Sequence, residues 1–97
     1  MARIVYSAAA LADLERIIDF LLEASPASAA GALRQIGTAV GILAAHPRIG
    51  RRVRGAMREL VITHGASGYL ALYRHDARSD TVRILHLRHQ REAGYQD

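Results

Sequence analysis

The spacing of apolar positions shifts along the chain, and each shift marks an element. Residues 3–7, Arg-Ile-Val-Tyr-Ser, are short, β-branched and aromatic, which predicts a first strand, and Ser7 stands where a helix N-cap belongs. From Ala8 the period lengthens. Leu11, Leu14, Ile17, Ile18, Leu21 and Leu22 recur at spacings of three and four and share one stripe of an amphipathic helix, which leaves Asp13, Glu15, Arg16 and Asp19 to face water. Such a stripe serves a core far more often than a partner. Ser25-Pro26 stops that helix and starts another, since serine caps and proline suits the first helical position. Leu33, Ile36, Val40 and Leu43 form the apolar line of the second helix, while Gly37, Gly41 and several alanines keep it thin enough to lie close against the first. A glycine in a helix interior costs about 1 kcal/mol relative to alanine, which close packing would offset. The two helices are expected to form an antiparallel hairpin.

His46-Pro47 ends the hairpin, and residues 48–54 read as a glycine-punctuated, arginine-rich loop. Residues 57–63, 68–74 and 81–89 are apolar, strand-like segments separated by turn-rich stretches at 64–67 and 75–80. Connections this short imply antiparallel neighbours. The expected fold class is α+β, in the order β-α-α-β-β-β, with the N-terminal helical hairpin packed on one face of a small antiparallel sheet. In the last strand, strict alternation puts Val82, Ile84, His86 and Arg88 on one face and Arg83, Leu85, Leu87 and His89 on the other. Both faces are apolar in the middle, so this strand belongs in the sheet interior, with Arg88 and His89 emerging at its end beside Gln90, Arg91 and Glu92.

Composition narrows the picture. A chain of 97 residues, 51% hydrophobic, suits one compact domain, 1–97. No apolar window is long enough to cross a membrane and no secretory signal is visible, so a cytoplasmic protein is expected. Cysteine is absent, which removes disulfides and thiolate chemistry. The net charge of +4 calls for an acidic partner, either nucleic acid or a protein segment rich in Asp and Glu. All 13 cationic side chains other than histidine are arginine, suited to forked contacts with phosphate and carboxylate.

Candidate chemistry follows from these cations. His86 and His89 point to opposite faces, and His46, His64 and His75 lack a third acidic ligand, so neither a metal site nor a cofactor is expected. There is no phosphate loop and no serine elbow. What remains is a basic surface of Arg58, Arg74, Arg88 and Arg91 with Tyr73, Tyr95, His86 and His89. Such a set can bind a phosphodiester and cleave RNA, one group taking the 2′-hydroxyl proton, an arginine holding the phosphorane charge and another group protonating the leaving oxygen. Equally, Arg58 and Arg74 can pair with Glu59 or Glu92 while Tyr69 and Tyr73 simply pack.

Five stretches taken in order, Asp13-Leu14 with Ile17-Ile18, Leu43 with His46-Pro47 and Gly50-Arg51, Arg58-Glu59-Leu60, Gly68-Tyr69-Leu70 with Leu72-Tyr73-Arg74, and Val82 through Glu92, resemble the ParE/RelE superfamily of bacterial toxins. The resemblance implies a type II toxin–antitoxin system of the plasmid-stabilisation type, in which a labile antitoxin wraps and neutralises the toxin, with a homodimer or a heterotetramer with antitoxin as possible assemblies. It implies one of two targets: ParE-like members poison DNA gyrase, whereas RelE-like members cut messenger RNA at the ribosome. The Gly68-to-Arg74 and Ile84-Leu85-His86 stretches look more like the ParE branch, which makes gyrase the first expectation. RelE-like ribonucleases use Lys, Arg, His or Glu with a C-terminal tyrosine, and the best matches are Arg58, Arg88, Arg91 and Tyr95. For contacts with antitoxin or target, Arg58, Arg74, Arg88, His89, Arg91 and Tyr95 are the candidates. An inert, antitoxin-binding relic is the third possibility.

Overall fold

The computed structural model describes residues 1–64, 67–92 and 94–95. Its elements are β1 (Arg3–Tyr6), α1 (Ala8–Ala24), α2 (Pro26–Gly41) with a 3-10 turn (Ile42–Ala44), β2 (Arg51–Arg54), β3 (Met57–His64), β4 (Ser67–Asp76) and β5 (Thr81–His89). The α+β class with a helix pair on a sheet is as expected. The sheet is mixed and five-stranded, in the order β1-β5-β4-β3-β2, with β1 parallel to β5 and the other neighbours antiparallel. Two of these features differ from the sequence-based expectation. Residues 51–54 pair with β3 instead of forming a loop, turning back through Gly55 at φ +55. β1, reached only through the end of the chain, runs parallel to its neighbour. The turn expected at residues 64–67 falls partly on residues 65 and 66, outside the described set.

Both helix caps form as the sequence suggests. Ser7 Oγ accepts from Ala10 N at 3.0 Å, and Ser25 Oγ accepts from Ser28 N at 3.1 Å. α1 lies on β5 and α2 on β3. The core between helices and sheet holds Ala10, Ile17, Ala32, Ile36, Val40 and Leu43 against Ile62, Tyr69, Ala71, Tyr73, Val82, Ile84 and Leu87. The α1 stripe is narrower than its leucines imply, for Leu11 and Leu22 are 53% and 48% exposed. Asp13, expected to face water, is 4% exposed. Gly37 and Gly41 do not mediate close packing, since a Cβ at either would meet nothing within 4 Å; alanines 29 and 32 are the small buried residues of α2.

The decisive irregularity is in β5. Leu72 pairs with His86 but Tyr73 pairs with Ile84, which leaves Leu85 as the extra residue of a β-bulge. Alternation therefore slips by one. Val82, Ile84, Leu87 and His89 face the helices, and His86 and Arg88 face the side of the sheet away from α1 and α2.

Candidate functional site

β1 accompanies β5 only as far as Ile84, whose carbonyl accepts Ser7 N–H at 2.9 Å. Beyond that point side chains take the place of a strand. Ser7 Oγ donates to Leu85 O, Asp13 Oδ2 accepts Leu87 N–H at 2.9 Å, and Glu92 Oε1 accepts His89 N–H at 3.2 Å. The same Asp13 oxygen lies 2.9 Å from His86 Nδ1. Arg16 closes the group, with Nη1 2.9 Å from Glu92 Oε1 and Nη2 3.7 Å from Asp13 Oδ1.

On the helix-free face, β3 supplies Glu59 and β5 supplies His86 and Arg88, with Glu59 and His86 both opposite Leu72. Tyr95 comes over them: its hydroxyl donates to Glu59 Oε2 at 2.5 Å, its ring lies 5.1 Å from the Arg88 guanidinium, and its centroid is 5.8 Å from that of His86. Arg51, across the β2–β3 ladder, donates to Glu59 Oε1 from Nη2 at 2.6 Å. Burial would raise the Glu59 carboxyl, but the Tyr95 and Arg51 hydrogen bonds, with the Arg51 and Arg88 charges, outweigh it and hold the group below the usual glutamate value. Tyr95 moves the other way. Burial, followed by the Glu59 hydrogen bond and charge, pushes the phenol far above the usual tyrosine value, with Arg88 opposing only in part. Glu59 is therefore a carboxylate and Tyr95 a phenol at neutral pH.

The residues expected to share a site are thus divided. Arg88 and Tyr95 come together. Arg88 also donates to Glu92 O at 2.8 Å, and its buried Nε has no partner among the described residues. Arg58 lies on the helix side, opposite Tyr73, and donates to the carbonyls of Arg48 and Gly50 at 3.1 and 2.9 Å, while Glu59 takes Arg51 as its ion-pair partner. Arg74 is exposed, beside Met57 and Arg83. His89 and Arg91 turn away: with Arg16, Glu92 and the apolar Ile17, Phe20, Leu21 and Tyr69 they line a cavity of about 640 Å³ between α1 and the sheet, on the opposite side from Glu59 and Tyr95. No group of three or more His, Asp or Glu among the described residues is arranged to hold a metal ion.

Glu59, Arg51 and Asp13 join the site although none is among the residues expected there from the sequence. Signals for two of them existed. Asp13 stands at helical spacing from Ala10 and Ile17, on the buried stripe itself, and Glu59 stands between Met57 and Val61 in the alternation of its strand. Arg51 closes the Gly50-Arg51 stretch of the resemblance, but its pairing with Glu59 is fixed only by the β2–β3 register.

Residues 4–94 match the family model described as ParE toxin of type II toxin-antitoxin system, parDE. Among known proteins, the chain is 38% identical over 80 residues to Toxin RelE3 of Caulobacter vibrioides, covering 82% of this chain and 85% of that protein. It is 39% identical over 62 residues to Toxin RelE2 of the same organism, covering 64% of this chain and 70% of that one.

Proposed function

Since this chain belongs to the ParE toxin family of type II toxin–antitoxin systems, we propose that it acts by cleaving messenger RNA on the open face of its sheet. The observation that carries this is the convergence of His86, Arg88, Glu59 and Tyr95 on one helix-free surface. His86 accepts the 2′-hydroxyl proton as O2′ attacks phosphorus, Arg88 holds the phosphorane charge, and the P–O5′ bond breaks with O5′ taking a proton from water. The products carry a 2′,3′-cyclic phosphate and a 5′-hydroxyl. Tyr95 keeps its proton and offers its ring to a base, and Glu59 fixes the phenol and Arg51 beside it. Both relatives carry the RelE name, which favours this branch. The test is a coupled translation extract given purified toxin: translated message is cleaved, and His86→Gln lowers the rate by about 10²-fold or more.

Inhibition of DNA gyrase is the second reading, favoured by the ParE description of the matched family and by the distance of Arg58 and Arg91 from the cluster. In that case the exposed Arg52, Arg54 and Arg74 are contact residues and no side chain is catalytic. Loss of supercoiling activity at excess toxin, unaffected by His86→Gln, favours this reading. Family membership implies an antitoxin partner. We assign His89 and Arg91 to it, because they rim an apolar cavity of a size to take side chains from an amphipathic segment with acidic residues.

A further inference from the structure

The paired histidines of β5 carry different partners, and the difference bears on the chemistry. His89 Nδ1 lies 3.1 Å from the backbone N–H of Arg91, which can only donate, so this nitrogen is an acceptor and the His89 proton resides on Nε2. His86 Nδ1 lies 2.9 Å from Asp13 Oδ2, an oxygen that already accepts Leu87 N–H, so in the neutral ring Nδ1 is the donor of this contact. Asp13 is not free to reorient. Its side chain is 5% exposed, the same Oδ2 receives Leu87 N–H, and Oδ1 faces Arg16, which is itself anchored on Glu92.

We propose that Asp13 is a positioning residue, holding His86 in the Nδ1–H tautomer so that Nε2 is left as the proton acceptor beside Tyr95. Among the described residues Nε2 makes no hydrogen bond, and the imidazole side chain keeps 23% exposure. When Nε2 takes the 2′-hydroxyl proton, the imidazolium formed lies against the Asp13 carboxylate, which supports the charge without accepting the proton. The bulge at Leu85 brings His86 to the open face while its Nδ1 stays within reach of α1. The catalytic part of this inference rests on the RNA-cleavage reading, whereas the tautomer does not.

The test is long-range ¹H–¹⁵N correlation of the histidine rings in the full-length protein, recorded where the imidazoles are neutral, with His86 assigned by His86→Gln. The expected spectrum shows His86 protonated on Nδ1 and His89 on Nε2, two opposite patterns in one molecule. Asp13→Ala is expected to release His86 toward the Nε2–H form preferred by free histidine and to slow RNA cleavage about 10- to 100-fold. Asp13→Asn retains an oxygen for both donors and guards against misfolding; it is expected to keep the tautomer and lose the charge-dependent part of the rate. A wild-type His86 protonated on Nε2, or an Asp13→Ala protein with unchanged tautomer and rate, overturns the proposal. The expected tautomers in a toxin that cleaves no RNA support the Asp13–His86 hold and count against the RNA reading instead.

Discussion

Tyr73 is fully buried on the helix face, and its hydroxyl accepts the Gly50 N–H at 2.8 Å. A Cβ on Gly50 would stand 2.6 Å from the Tyr73 ring and 2.9 Å from Glu59 O, neither of which can swing aside. Gly50→Ala is therefore expected to destabilise by about 1–3 kcal/mol, read by urea unfolding. This is the residue through which the arginine-rich segment is seated on the sheet, with Arg58 gripping the carbonyls on either side of Ile49. Glu59 offers a second test. Its pKa is depressed in the folded state, so its contribution is present above the unfolded glutamate value of about 4.5 and is lost as pH falls through the lower folded value. The stability gap between wild type and Glu59→Gln should be widest near neutrality and close as the solution becomes acidic below that window. A gap that does not change with pH would show that the carboxylate charge contributes nothing at this position.

At the level of elements, the helices were legible because their signals are local: Ser7, Ser25 and Pro26 sit within a turn of what they cap. Gly37, by contrast, has no packing role that explains it. It is exposed in the interior of α2 with open space around it, so Gly37→Ala should raise stability by about 1 kcal/mol, seen as an upward shift of the thermal midpoint. β2 was hidden because four exposed residues, Arg51-Arg52-Val53-Arg54, show no buried face; only their register against β3 defines them. The bulge at Leu85 was hidden for the same reason, and it exchanged the faces of Leu87, Arg88 and the two histidines relative to Val82 and Ile84. The direction of β1 was out of reach too, since its partner lies almost at the other end of the chain. Asp13 stands in for the missing continuation of β1, and Asp13→Ala, which orphans the buried Leu87 N–H, should cost about 1–3 kcal/mol in urea unfolding.

For the whole molecule, the two faces of the sheet serve different ends. One is covered by α1 and α2 and opens, past Tyr69 and His89, into an apolar cavity with a basic rim; the other carries Glu59, His86, Arg88 and Tyr95. Of the four residues expected to form a catalytic set, two met, and the side chains that joined them came from β3 and β5 by register that only the folded sheet supplies. No helix is long and apolar enough to cross a membrane among the described residues. If the open face cuts RNA, as proposed, mapping of RNA ends after toxin induction without antitoxin will show it. New 5′-hydroxyl ends are expected within the codons of translated messages, abolished by His86→Gln. Intact messages alongside gyrase-linked DNA breaks, unchanged in that variant, would contradict it.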